Sequence, residues 1–300
     1  MRSHAIRLCV IVAGVIALAA PIASAQDEAP LRIVFFDVGQ GDAVAIIAPD
    51  GRTVLYDGGP PSTDMPALLE RQKVASVALV IASHNHADHI GGLPRVFERY
   101  RPAYYLENGI PHTTRAYERL LLAVRAAGSL RLEPTRRTIS LGEARLHVLP
   151  PIGPSRRGQN DNSVGVIVEY GAFRASLLGD SEPRQQRWWS SNHDDLLSAV
   201  AVHKSSHHGS RAGDVREVIQ RLRPAIVVIG VGARNSYGHP AAETLAIYRA
   251  ICARVYRTDH HGTVTVSVWS DGRFEVATAR QPATGGMEVR PAPECHRAAY

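Results

Sequence analysis

Lysine is almost missing from this chain. Lys73 and Lys204 are the only two among 34 basic Lys and Arg residues, so arginine carries nearly all the positive charge. Lys204, three residues before a His-His pair, therefore stands out. Cysteine is scarce as well, with three in 300 residues, which excludes a disulfide-dense scaffold. Beyond residue 20 no apolar run approaches the roughly 20 residues a spanning helix needs, which excludes a membrane-embedded body. No segment recurs at a fixed short period, so a solenoid is excluded too. Apolar residues make up 45% and charged residues 21%, a balance that is neither fibrous nor disordered and allows a sizeable soluble core.

The one long apolar stretch is N-terminal. Arg2 and Arg7 precede an apolar run from Leu8 to Ala20, and Ala23-Ser24-Ala25 follows, the arrangement of a secretory signal cut near Gln26. This predicts a signal peptide at 1–25, one folded domain at 26–279 and a flexible Pro-, Gly- and Ala-rich tail at 280–300. The expected location is periplasmic or extracellular, with no stable membrane association once the signal is cut; an uncleaved anchor is the alternative. Cys9 lies inside the signal without the small residues of a lipid-attachment site. Cys252, in an expected helix, and Cys295, in the tail, leave one disulfide open. The formal charge of +6 becomes +4 when Arg2 and Arg7 leave, which is compatible with phosphate-bearing substrates without demanding them.

Along the body, residues 31–37, 43–48 and 53–57 read as three strands separated by Gly39-Gln40-Gly41-Asp42 and Pro49-Asp50-Gly51. A helix from Asp64 to Lys73, with Asp64 as N-cap, leads to the apolar strand 77–82, and a helical segment runs from Ile90 to Tyr100. A strand at 103–106, an amphipathic helix at 113–127 closed by Gly128, and two strands within 138–149 follow. Residues 150–162 read as a loop and 164–178 as a hairpin. Helices and strands then alternate from 182 to 258, before a last hairpin at 263–277. Two sheets packed face to face with helices outside fit this plan.

The densest chemistry is His84-Asn85-His86-Ala87-Asp88-His89, directly after the apolar strand. Imidazole and carboxylate together suit zinc, manganese or iron, and a short loop at a strand end can splay alternate side chains toward two ions. Other strand ends carry Asp57-Gly58-Gly59, Asn160-Asp161-Asn162-Ser163, Leu178-Gly179-Asp180, Ser206-His207-His208-Gly209-Ser210 and Asn235-Ser236-Tyr237-Gly238-His239-Pro240. Each is weak alone; their order is informative.

In that order the chain resembles the metallo-β-lactamase superfamily. Within it, Phe36 to Asp42, Ser83 to Leu93 and the segments just quoted are similar to the hydrolase domain of ComEC-type competence proteins, over roughly residues 31–278. The resemblance implies an α/β fold, an αβ/βα four-layer sandwich, and a hydrolase of nucleic-acid phosphodiesters that uses a metal-bridging hydroxide. ComEC proteins carry this domain beside a membrane channel, and here the expectation is a free-standing relative, exported by its N-terminal signal. The superfamily usually has a histidine where this chain offers Asn160, Asp161 and Asn162.

The implied cofactor is a pair of divalent ions, zinc or manganese. His84 and His86 would hold one, Asp88 and His89 the other, with Asp180 bridging and His207 or His208 completing the set. Asp88, Lys204 and His239 are the expected catalytic groups, the last two offsetting charge on the phosphoryl oxygens. Asp57 is expected to orient a ligand histidine through its second nitrogen. Gln40, Asp42, Arg156 and Arg211 are substrate-side candidates, the arginines through phosphate contacts. His260-His261 reads as a surface pair and Trp188-Trp189 as packing. The expected partner is nucleic acid or another phosphodiester. The alternatives are a metallo-hydrolase of a carboxylic substrate (lactone, thioester or β-lactam) and a non-catalytic metal-containing binding module.

Overall fold

Branched apolar residues alternate between two burial environments along nearly every strand, and that alternation builds the layers. The structure, a computed structural model, describes residues 29–153 and 158–281. The first sheet contains β1 (Leu31–Phe35), β2 (Val44–Ile47), β3 (Thr53–Tyr56), β4 (Leu79–Ile81), β5 (Tyr104–Leu106) and β6 (Leu130–Leu132). The second contains β7 (Arg137–Leu141), β8 (Ala144–Leu149), β9 (Gly165–Tyr170), β10 (Phe173–Leu177), β11 (Val202–Lys204), β12 (Ile226–Ile229) and β13 (Arg254–Arg257). The closing hairpin, β14 (Val264–Val268) and β15 (Phe274–Thr278), returns to the first sheet because β14 pairs antiparallel with β1. The sheet orders are β15-β14-β1-β2-β3-β4-β5-β6 and β13-β12-β11-β10-β9-β8-β7.

One core lies between the sheets, where Ile33, Ile46 and Tyr56 meet Val166, Ala175, Leu177 and Val228. Neighbouring residues of the same strands point outward. Val34, Ala45, Leu55 and Val80 pack under α1 (Met65–Arg71), α3 (Leu93–Tyr100) and α4 (Arg115–Ala127) through Leu69, Phe97 and Leu120. A short α2 (Ala87–Ile90) precedes α3. On the other side Ile167, Val227 and Ile229 pack under α5 (Pro183–Asn192), α6 (Arg216–Leu222) and α7 (Ala242–Ala250) through Trp189, Ile219 and Tyr248. The period of two is what lets one strand serve two cores, and the result is the αβ/βα four-layer sandwich. Asp64 caps α1 by accepting from Ala67 N at 3.3 Å, and Gly128, at φ +74°, closes α4.

The structure departs from the sequence reading in a few places. β6 was not expected, because its three residues are mostly exposed and show no alternation. The helical segment expected from Ile90 to Tyr100 belongs to two helices, separated at Gly91-Gly92. A Cβ there would stand 2.3 Å from Pro61 N at Gly91 and 2.2 Å from Gly58 O at Gly92, so bare backbone is needed for the chain to pass. His261 is buried, its Nδ1 3.0 Å from Arg257 O, so the 260–261 pair is not wholly surface; α8 (Thr258–His261) turns it inward. Cys252 is disulfide-bonded, and Cys295 lies outside the described residues, as do the expected signal and all but the first two residues of the tail.

Trp189 is fully buried under the second sheet and donates from Nε1 to Pro150 O at 2.7 Å. Trp189→Ala should cost about 3–5 kcal/mol in urea unfolding. A change under about 1 kcal/mol would mean the helical layer does not rest on this side chain.

Candidate metal centre

Parallel pairing aligns the carboxyl ends of β3 and β4 in one sheet and of β10, β11 and β12 in the other. Such ends are where α/β sheets present chemistry. Val164 N donates to Ser83 O at 2.7 Å, and Gly232 N to Gln40 Oε1 at 3.1 Å, so the loops of the two sheets are fastened together at this rim.

Asp180 sits at its middle, 2% exposed. Its Oδ2 lies 3.2 Å from His89 Nε2, 3.5 Å from His208 Nε2, 3.8 Å from His84 Nε2 and 3.9 Å from His207 Nε2. Gly179 makes this approach possible. It has φ +59°, and a Cβ on it would come within 2.8 Å of Ser83 Cβ and 2.9 Å of Ser163 Cβ. Asp88 Oδ2 closes one side, 3.3 Å from His208 Nε2 and 3.8 Å from His89 Nε2. On the other side His86 Nδ1 is 3.0 Å from His84 Nε2.

Each inner imidazole is aimed by what its far nitrogen binds. His89 Nδ1 meets Asp57 Oδ2 at 2.9 Å, His208 Nδ1 meets Gly230 O at 2.9 Å, and His84 Nδ1 meets Ser83 Oγ at 3.0 Å. Asp57 is itself fixed: it is fully buried, has φ +59°, and accepts from Ser83 N at 2.7 Å and Ser83 Oγ at 2.8 Å. His207 and His208, at φ +49° and +54°, are likewise held in the left-handed region, a strained arrangement that recurs at functional sites.

The electrostatics call for a cation. Burial works against a charge on His208, yet Asp180 and Asp42 overcome it and hold its pKa at about 10. Burial also opposes charge on His89, and Asp180, Asp88 and Asp57 outweigh it, leaving that ring well above the usual imidazole value. Burial alone would raise the Asp180 carboxyl, but His89 and His208 hold it well below the carboxylate range. Around Asp180 the His89 and His208 rings thus draw protons where a metal's charge would serve, and metal uptake would displace them, whereas burial and the neighbouring His89 push His84 and His86 below the usual imidazole value. His89 Nε2, His208 Nε2 and Asp180 Oδ1 are buried with no hydrogen-bond partner. Ligand atoms of Asp42, His89, Asp180 and His208 all lie within 4.8 Å of one another. Imidazole nitrogen and carboxylate oxygen suit a divalent metal, so the residues present fit one.

Asp42 and Lys204 correct the sequence reading. Asp42 is 3% exposed and belongs to the cluster, not to a substrate surface. Lys204 is 1% exposed; its Nζ pairs with Asp42, donates to Gly179 O at 3.2 Å and lies 3.8 Å from Asp180 Oδ1. Buried in this way, it compensates the carboxylates from beneath. Because its Oδ2 already faces an ammonium, Asp42 is the least available of the four as a metal ligand. Gln40 Oε1 accepts from Gly232 N, and Arg211 forms a 2.7 Å surface pair with Glu243. Arg156 lies outside the described residues.

In the loop before β9, Asn160 reaches the cluster: its Nδ2 donates to Glu182 Oε1 at 3.1 Å and lies 3.5 Å from His207 Nε2. Asp161 accepts from Gln185 N at 3.3 Å at the start of α5, and Asn162 donates to Gly158 O at 3.2 Å. His239, half-buried, stands with ring centroids 5.7 Å from His207 and 6.4 Å from His208. His112, 5.6 Å from His86, and Glu182, 3.5 Å from His207 Nδ1, also border the centre and were not anticipated. A deeper support was missed as well. Asp214 bonds His203 Nε2 at 3.1 Å, the Tyr248 hydroxyl and Ser206 N at 3.2 Å, anchoring the loop that carries His207 and His208. Nothing local in the sequence marks Asp214, since its partners lie on β11 and α7. A cavity of about 550 Å³ is lined by Arg52, Ala78, Tyr104 and Arg137, at the starts of β3, β4, β5 and β7, and takes in none of the residues of this centre.

Comparison with known proteins gives one family. The Metallo-beta-lactamase superfamily model matches residues 36–231. ComE operon protein 3 of Bacillus subtilis is 26% identical over 266 residues, covering 81% of this chain and 33% of that protein. Hydroxyacylglutathione hydrolase of Xylella fastidiosa strain M12 is 39% identical over 72 residues, covering 23% of this chain and 25% of that one. The chain thus spans about a third or less of these relatives. The solved structure of Tm1679, a metal-dependent hydrolase of the beta-lactamase superfamily, shares the fold at TM-score 0.51 and 13% identity, covering 83% of this chain and 99% of that one.

Two measurements test this arrangement. Asp57→Asn should weaken divalent-metal affinity about 10- to 100-fold in chelator competition, by loosening His89; unchanged affinity would remove Asp57 from the site. Lys204→Met leaves buried carboxylates uncompensated and should cost about 3–5 kcal/mol in urea unfolding of the metal-free protein. Full stability in that variant would mean the ammonium is not needed beneath Asp180.

Proposed function

The chain belongs to the metallo-beta-lactamase superfamily, and from that premise we propose that it is an exported metal-dependent phosphodiesterase acting on nucleic acid. The observation that carries the reading is the similarity to ComE operon protein 3, which extends along 81% of the chain instead of stopping at one metal motif. The segments that resemble ComEC-type hydrolase domains, from Phe36 to Pro240, fall on the rim loops that surround Asp180. Export rests on the N-terminal 25 residues, with their two arginines, apolar run and Ala-Ser-Ala end.

Two groups of residues would hold metal: His84 and His86 on one side, Asp88, His89 and His208 on the other, with Asp180 between them. When bound, a divalent pair lowers the pKa of water toward about 7 and polarises a phosphoryl oxygen. The protein's own part is positioning. Asp57 and the Gly230 carbonyl fix the His89 and His208 rings, so their inner nitrogens need no reorganisation. Lys204 and the buried carboxylates around it set the charge beneath the centre. His207 and His239 line the approach, where ring N–H groups can meet the nonbridging oxygens as negative charge builds.

A second reading, hydrolysis of a thioester or another carboxylic substrate, is favoured by the 72-residue match to hydroxyacylglutathione hydrolase. That match covers 23% of the chain, which gives it less weight.

Purified mature protein assayed with zinc or manganese on plasmid DNA, a chromogenic phosphodiester, a lactone, a thioester and a β-lactam separates the readings. Hydrolysis of the phosphodiesters is expected, abolished by chelation and reduced more than about 100-fold in Asp88→Ala, beyond the loss of a supporting partner. Turnover of only the carboxylic substrates would favour the second reading and end the first.

A further inference from the structure

Four large apolar or aromatic side chains are strongly exposed among the described residues: Tyr104, Leu122, Leu130 and Tyr237. The first three lie on β5, α4 and β6, away from the metal centre. Tyr237, 69% exposed, is the one on the rim. A single exposed tyrosine is ordinary on any surface. This one is held. Asn235 Oδ1 accepts from Tyr237 N at 3.2 Å and from His239 N at 3.0 Å, while its Nδ2 donates to Gly232 O and His239 O, both at 2.9 Å. Gly238, at φ +72° with nothing within 4 Å of a Cβ, is there for its backbone conformation.

The rings form a graded series. Tyr237 stacks on His239 with centroids 5.6 Å apart and planes 26° from parallel. His239 stacks on His208 at 6.4 Å, again 26° from parallel. His208 reaches Asp180. An aromatic face thus runs from solvent to the cluster, and Tyr237 is its outer end.

Resting on the phosphodiesterase reading, we infer that Tyr237 is the stacking platform for an unpaired nucleobase of the substrate, set beside the bond to be hydrolysed. A base offers a flat π-face to a tyrosine ring whose backbone is already fixed, and such stacking tolerates any base. Because Asn235 has already ordered the loop, binding does not have to order it again. Tyr237 makes the site prefer single-stranded, base-bearing phosphodiesters over bare phosphodiester backbones. Exposed Arg234, in the same loop, adds positive charge near that strand.

The test compares a metal-loaded full chain on two oligonucleotides of equal length, one of thymidines and one of abasic tetrahydrofuran sites, in wild type, Tyr237→Ala and Tyr237→Phe. Wild type should prefer the thymidine strand. That preference in kcat/KM should fall about 5- to 150-fold in Tyr237→Ala, mainly through KM, and survive in Tyr237→Phe. Circular dichroism checks that the loop variants fold. Wild-type cleavage of both strands without preference, or full preference in Tyr237→Ala, overturns the platform and leaves the phosphodiesterase standing. Cleavage of neither strand, with turnover of a lactone or thioester, overturns both.

Discussion

Asp180, itself buried, presents one carboxylate oxygen to four imidazoles, and the rest of the rim answers to that. A buried carboxylate is costly unless charge and hydrogen bonds surround it. Here the compensation is divided. Lys204 faces Oδ1 and Asp42 from below, and the histidines face Oδ2. The first partner is permanent and covalently part of β11; the second is a set of ligands whose own charge depends on whether a proton or a metal supplies it. That division separates what must hold the fold together without metal from what responds to metal.

The geometry is expensive in backbone terms. Asp57, His207 and His208 take positive φ without being glycine, and Gly179 takes it where a side chain would strike Ser83 and Ser163. Such conformations persist only where surrounding bonds over-determine them. Ser83 supplies one set, bonding Asp57 with both its amide and hydroxyl and passing its carbonyl to Val164. Asp214 supplies the other, through His203, Ser206 and Tyr248. Each network joins elements far apart in the chain, so the centre is assembled by the packing of both sheets and cannot belong to one loop. The rigid strand ends then give function its precision, while Asn235 gives the outer loop the same fixed character.

Much of the fold was legible. Alternation in β14, the largely buried runs of β1, β2, β3 and β12, Asp64 at the start of α1 and Gly128 at the end of α4 are local signals that packing did not override. β6 was not legible, because it gains its place only by pairing with β5. The break at Gly91-Gly92 was not either, since its cause is Gly58 and Pro61, far away in sequence. For the site, the identities of His84, His86, Asp88, His89 and Asp180 could be read as donor types in order. The burial of Lys204 and Asp42 could not, because a lysine before a His-His pair looks the same whether it faces substrate or core.

The sequence by itself determined which side chains carry donor atoms, in what order, and that they fall after apolar strands; periodicity and residue chemistry are local properties. Only the tertiary structure decided that His208 stands inside the cluster with His207 at its edge, that Lys204 lies beneath the centre, and that Tyr237 is aligned with His239 and His208. Those are distances between residues on different strands and loops, and they are set by how two sheets pack, which no local pattern encodes.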